Sequence, residues 1–238
     1  MILGLALTGV GSLADDVRAR QAPAPAAVSV EQEPRHRPVF ENAFARVLDV
    51  RVPGADTTLY HTHSNRMAII VVETATSWTQ VLGAEPDAPR PGDPVGSVMD
   101  NWSSQLPYTH RVGNVDTRMF HYVAGEWLGS PGGDAPKLPD TNTMKLEKES
   151  PLFRVYRITL PPGASAGRHQ HVSPGMTVQV QDGRLTDEGS TSTATGGGSG
   201  SGAWRWRAPG HRHTLRNTGT APLDIIEVDW LSGKQARR

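Results

Sequence analysis

The sequence repeats itself. The stretch RVLDVRVPGADTTLYHTH (46–63) lies over RVYRITLPPGASAGRHQH (154–171) without a gap at an offset of 108, and HRVGNVDTRMFHYVAGEWL (110–128) lies over HTLRNTGTAPLDIIEVDWL (213–231) at an offset of 103. The first pair reads as a strand, a Pro/Gly turn and a strand ending in H-x-H. The second pair shares a histidine, an asparagine four residues later and a closing acidic-Trp-Leu. Self-similarity at a fixed spacing marks one structural unit used twice, so the fold must divide into two like halves.

The segments that carry the repeat are short, rich in β-branched and aromatic residues and bounded by turn signals: FARVLDVRV, MAIIVVE, MFHYVAGEW, FRVYRITL, MTVQVQ, AWRWRA and LDIIEVDW. Few have helical periodicity. The 25 glycines and 19 prolines among 238 residues suit many strands joined by turns. About ninety residues of such strands close best into a small barrel. The predicted fold is all-β, two tandem small β-barrels, with the first over 39–130, a linker over 131–150 and the second over 151–232. Two loops, LGAEPDAPRPGDPVG (82–96) and TDEGSTSTATGGGSGSG (186–202), fall at equivalent places and are expected to be long and exposed.

The N-terminus opens with an apolar run ending in Ser12-Leu13-Ala14, which is too short to span a bilayer and reads as a signal peptide over 1–14. An Ala/Pro-rich tether follows over 15–38, and a basic tail occupies 233–238. Export to the periplasm or exterior is the expected location. Lys plus Arg balances Asp plus Glu at 24 each, so no global field favours nucleic acid or an anionic membrane. The absence of cysteine removes disulfides, thiolate metal sites and a cysteine nucleophile together. No Gly-x-Ser-x-Gly and no phosphate-cradling Gly-Lys-Ser/Thr loop occurs.

Six of the nine histidines fall at repeat-matched positions: His61 with His169, His63 with His171, and His110 with His213. In a strand, residues i and i+2 face the same side, so an H-x-H pair aims two imidazoles into one space. A third histidine from a neighbouring strand completes a facial set of three nitrogens around a metal. The expected ligands are His169, His171 and His213 in the second half and His61, His63 and His110 in the first.

These residues carry a resemblance. Gly163, His169 and His171, then Gly210, His213 and Asn217, are similar to the two motifs of the cupin superfamily, small β-barrels whose inward histidines bind a metal. The first half matches more loosely through His61, His63, His110 and Asn114. The chain thus resembles a bicupin over roughly 40–130 and 151–231. The family pattern usually adds a glutamate four residues beyond the second histidine of the pair, and here that spacing gives Ala68 and Met176. Met176 is read as a packing residue. Without that carboxylate, three neutral imidazoles leave a divalent ion its full positive charge, and the open positions should favour an anionic ligand.

Secondary features have plainer readings. His211 forms a further H-x-H with His213 and, with the proline and glycine before it disturbing the register, is expected behind the ligands or at the rim, and His121 has no histidine counterpart. Trp204 and Trp206 alternate with Arg205 and Arg207, as a barrel strand does. Trp127 and Trp230 are expected to pack, and Asn114 and Asn217 to shape a turn through left-handed backbone and local hydrogen bonds.

The resulting expectation is an exported metal-binding bicupin that resembles a dioxygenase, an oxidoreductase holding a mononuclear divalent ion (Fe, Mn, Ni or Zn) and acting on a small anionic or enolic molecule. A non-catalytic module that senses or binds a small ligand is the alternative. No nucleic-acid or membrane partner is expected, and both a monomer and a homo-oligomer are allowed. Because bound imidazoles must be deprotonated, metal affinity is expected to fall below about pH 6.5.

Overall fold

The computed structural model describes residues 26–101, 105–132, 136–189 and 195–233. The signal segment, residues 15–25 of the tether and residues 234–238 of the basic tail lie outside the described residues. Among the described residues the regular structure is strand, apart from one 3₁₀ turn at Val30–Gln32. No helix there is long and apolar enough to cross a membrane.

The first half contributes β1 (Val28–Ser29), β2 (His36–Glu41), β3 (Ala45–Val52), β4 (His61–His63), β5 (Arg66–Glu73), β6 (Ser77–Val81), β7 (Val98–Asp100), β8 (Tyr108–Asn114) and β9 (Phe120–Trp127). The second contributes β10 (Met144–Glu149), β11 (Phe153–Leu160), β12 (His169–Gln170), β13 (Gly175–Gln179), β14 (Leu185–Glu188), β15 (Thr195–Gly197), β16 (Trp204–Arg207), β17 (Arg212–Asn217) and β18 (Leu223–Trp230).

Each half makes a large sheet and a small one. The large sheets run β2-β3-β9-β5-β7 and β10-β11-β18-β13-β16-β15; the small ones run β1-β4-β8-β6 and β12-β17-β14. Matched strands occupy matched places, and only β1 and β15 lack a counterpart. Even irregularities correspond: the register shifts between Pro38 and Phe40 in one half and between Leu146 and Lys148 in the other. This topology is consistent with the repeat.

Two stretches differ from the expected boundaries. Residues 28–38, placed in the tether, fold onto the first barrel: β1 pairs in parallel with β4, and Val30, Glu33 and His36 are buried. Val30 packs with Leu48, Val50, Met67 and Ala124 in the barrel interior, which is why this part of the chain folds back. Likewise β10, placed in the linker, pairs with β11 and supplies Met144 to the second interior. The Gly/Ser/Thr loop also carries order, since β15 pairs with β16.

Alternation along the large sheets explains the packing. One face of β11, β13 and β18 points into the second barrel; the other presents Val155, Met176, Val178, Ile226, Val228 and Trp230 to a core shared with Ala45, Val47, Ala68, Ile70, Val72 and Val123 of the first half. Trp204 and Trp206 join this shared core. Met176 is fully buried there, so it packs as expected and faces away from the histidines. Trp230 lies edge-on to Phe153 and Trp206. The halves approach closely where Gly125 meets the Trp230 ring: a Cβ at Gly125 would lie 2.5 Å from it.

Asn114 and Asn217 do the same work twice. Asn217 donates to the carbonyls of Leu160 and Ala221 and accepts from the Gly219 amide. Asn114 donates to Val52 and Arg118 and accepts from Asp116. Neither has positive φ; Ala55 is the non-glycine described residue that does. The role is therefore hydrogen bonding across the turn, without the left-handed backbone expected from sequence.

Candidate metal centre

In the second barrel β12 pairs antiparallel with β17 so that His169 lies opposite His213. His171 follows one pleat on, and its amide is held by the His211 carbonyl. The three rings of His169, His171 and His213 gather with centroids 4.5, 5.1 and 5.5 Å apart. The structure thus brings together the three histidines that the sequence pairs and spaces.

It also brings a carboxylate that the sequence reading lacked. Glu227, on the inward face of β18, is fully buried. Its Oε2 lies 3.1 Å from His169 Nε2 and 3.1 Å from His171 Nε2, and its Oε1 lies 3.4 Å from His213 Nε2. The expectation of a site without an acidic group is corrected here: the acid arrives from a strand 56 residues beyond His171.

Each ring is fixed from behind. His169 Nδ1 meets the Gly167 carbonyl at 3.0 Å, His171 Nδ1 meets Asp229 at 2.8 Å, and His213 Nδ1 meets Asp187 at 3.1 Å. These partners accept only, so each Nδ1 carries a proton and each Nε2 is turned toward Glu227, offering a lone pair whenever the ring is neutral. Lone pairs facing a carboxylate repel unless a cation lies between them. Ligands on one ion with bonds of ~2.1 Å sit ~3.0 to 3.4 Å apart, the separations seen between Glu227 and the three nitrogens. His169, His171, His213 and Glu227 fit a divalent cation.

The charge around them agrees. Glu227 and Asp229 face one buried guanidinium, Arg207, which reaches Asp229 at 3.2 Å and Glu227 at 3.5 Å, and Asp187 sits behind His213. With neutral imidazoles these four groups leave two negative charges in the barrel, the complement of a divalent ion. Burial pulls the His213 pKa down, but the charge of Glu227 and the bond to Asp187 outweigh it and raise it to about 9. Burial would raise the Glu227 pKa, yet His171, Arg207 and His213 hold it well below the usual carboxylate range.

His211 is buried beside this set. Its ring lies 4.6 Å from that of His213 and its Nε2 lies 3.8 Å from Asp187. Desolvation, with His213 and Arg207 nearby, lowers its pKa to about 4. It sits buried beside the ligand set, the first of the two places expected for it. His121 points out of its barrel and pairs with Asp49 at 2.8 Å, away from either histidine cluster.

A cavity of about 410 Å³ opens against the site between β13, β14 and β16. Thr177, which donates to Glu227 at 2.8 Å, and Asp187 form its inner wall, and Arg184 and Arg205 line it further out.

The first barrel gathers His61, His63 and His110, with ring centroids 4.6 to 5.1 Å apart. His61 lies opposite His110 on β4 and β8. A fourth imidazole, His36 on β2, stands 4.2 Å from His61 and was not anticipated. No acid matches Glu227: the corresponding residue is Ala124, just as Met144 takes the place of His36 in the second barrel. Burial, reinforced by the neighbouring rings, lowers the His61 pKa to about 4 and that of His63 to about 3.

No family profile matches the sequence, and no curated protein matches it. Solved structures do resemble it. Salicylate 1,2-dioxygenase from Pseudaminobacter salicylatoxidans superposes with a TM-score of 0.52 at 12% identity over 79% of this chain and 71% of its own. Oxalate decarboxylase from Lactobacillus farciminis, in a formate complex, gives 0.53 at 11% identity over 80% and 78%. AerE from Microcystis aeruginosa gives 0.51 at 10% identity over 84% of this chain and 98% of its own. The chain has the cupin fold. Its two sets of sheets are consistent with a bicupin.

Proposed function

We propose that the second barrel holds one divalent metal ion on His169, His171, His213 and Glu227 and that the chain acts there on a small anionic or enolic organic molecule, in the manner of a dioxygenase. The observation that carries this is the set of three rings anchored at Nδ1 with their Nε2 atoms turned toward one buried carboxylate. A bound ion would supply Lewis acidity toward substrate or O₂. The chain's own residues do the rest. Thr177 and Arg207 fix Glu227, and Asp187 and Asp229 hold the tautomers of His213 and His171. Arg184 and Arg205 line the cavity where a carboxylate would dock. The ligands named for structural neighbours, salicylate, gentisate and formate, agree in chemical class.

Elemental analysis after growth with added metals tests the first step. Wild type is expected to carry a stoichiometric transition metal at this centre, and the double variant His171→Ala, Glu227→Ala to lose one equivalent. Equal metal content in the two proteins sinks the assignment. Oxygen uptake over a panel of diketones and phenolic acids tests the second step; a protein that binds them at the metal without turnover is the ligand-binding module instead.

A further inference from the structure

The cavity beside the metal centre presents one polar group that the mechanism leaves unused. On β13, Met176 and Val178 face the core shared by the two halves, so Thr177 and Gln179 face the barrel interior, ~7 Å apart along the strand. Thr177 reaches Glu227 at 2.8 Å, and Gln179 stands one pleat further from that carboxylate. Gln179 is only 5% exposed. Its Nε2 donates to the carbonyls of Gln181 and Gly183 at 2.7 and 3.0 Å. Two carbonyls around one nitrogen settle which end of the amide is which, because an oxygen placed there would face two acceptors. Oε1 accepts from no described residue, and the side chain lines the cavity of about 410 Å³. It is a fixed acceptor turned to whatever fills that space.

Two cations share the lining. Arg184 follows Gly183, the residue that holds the Gln179 amide, and Arg205 lies directly opposite Thr177 on β16. Neither guanidinium is paired with an acid among the described residues. The apolar part of the wall is Leu185, Leu215 and Ala203, and no described aromatic side chain belongs to it. Sites for flat aromatic guests are lined mainly by apolar and aromatic side chains. This one instead offers an acceptor for a hydroxyl and two donors for a carboxylate.

We propose that the second barrel selects an aliphatic hydroxycarboxylate over a phenolic acid, with the carboxylate held by Arg184 and Arg205 and the hydroxyl donating to Gln179 Oε1. Where such a molecule reacts rests on the metal assignment above; the contacts that select it belong to the cavity wall. Gln179 determines specificity. A guest without the hydroxyl leaves a buried acceptor unpaired, and that penalty falls only on the wrong guest. Planar guanidinium groups add the charge-assisted bonds that a carboxylate can accept in pairs.

Calorimetric titration of the full chain, with metal content measured on the same sample, tests this with matched probes: malate against succinate, 3-hydroxybutyrate against butyrate, gluconate against hexanoate, and salicylate as the aromatic acid. The hydroxylated member of at least one pair is expected to bind about tenfold or more tighter than its deoxy partner, and tighter than salicylate. Gln179→Leu is expected to bring that pair within about twofold of each other. Arg184→Gln combined with Arg205→Gln is expected to weaken both members alike, by about tenfold or more. If Gln179→Leu does not fold, the side-chain amide resonance of Gln179 in the wild type decides: it shifts with the hydroxylated member and not with the deoxy one. Equal affinity within every pair, tightest binding of salicylate, a hydroxyl preference that survives Gln179→Leu, or no binding by any probe overturns the proposal. Preference retained in a chain without metal sinks the metal assignment alone, and a metal-loaded chain without preference sinks this proposal alone.

Discussion

Ala55 adopts φ +59° where its repeat partner Gly163 has φ +76°. A Cβ in that left-handed region costs about 1 to 2 kcal/mol, and glycine gives back part of the gain through the freer unfolded chain. Ala55→Gly is expected to raise stability by about 0.5 to 1 kcal/mol, read as a higher denaturation midpoint with unchanged slope. A lower midpoint would mean that the alanine methyl makes contacts worth more than the strain. The turn itself was legible in sequence from its prolines and glycines; the strain appears only when the two copies are compared at one backbone position.

Protons on single rings set a second expectation at this scale. His213, with its pKa raised to about 9, is charged at neutral pH in the metal-free protein, so an ion entering the second barrel must displace that proton. Affinity there should climb as pH rises toward 9, with one proton released per ion near pH 7. His61 and His63, lowered to about 4 and 3, are already neutral, so an ion entering the first barrel displaces no proton from either of these rings between pH 8 and about 5. This splits the single fall below about pH 6.5 expected from sequence. Calorimetry in two buffers of different ionisation enthalpy, on each single-site protein, counts the protons; equal release from both barrels would contradict the assignment.

Among elements, the H-x-H strands were readable because they pair with the third histidine in both halves, and repetition removed the chance of accident. Glu227 was not, because the comparison that exposed the histidines matched it with Ala124 and because the family spacing pointed to Met176. A signal did exist: Glu227 and Asp229 place two acids two residues apart on one face of LDIIEVDW, within the apolar run that follows Asp224. His36 was hidden for another reason. It precedes the repeated blocks, in a stretch whose composition resembles a tether, and its burial follows from Val30 and Glu33 anchoring the segment. At this scale the asparagines after the third histidine tie β17 and β8 to strands far away in sequence. Asn217→Ala frees one buried carbonyl, one part-buried carbonyl and one amide and is expected to cost about 1 to 3 kcal/mol, as is Asn114→Ala. Hydrogen exchange should then speed up at Leu160 to Gly163 in the first variant; a loss under about 0.5 kcal/mol would show that water replaces the side chain.

Over the whole molecule, the two barrels share one apolar core drawn from the outer faces of both large sheets. The chain should therefore unfold in one cooperative step, and calorimetry should show a single transition with matching van't Hoff and calorimetric enthalpies. Gly125→Val places a branched side chain against Trp230 and is expected to cost about 1 to 3 kcal/mol by overpacking, with the transition still single. Two separated transitions would mean that the halves are stable apart.

Val228 and Glu227 are consecutive residues of β18, one facing the neighbouring barrel and the other facing the histidines. Tightening or loosening the seam between the halves therefore moves the floor on which the ion rests. A substitution such as Trp230→Phe, which touches no ligand, should show itself in how long the metal stays bound.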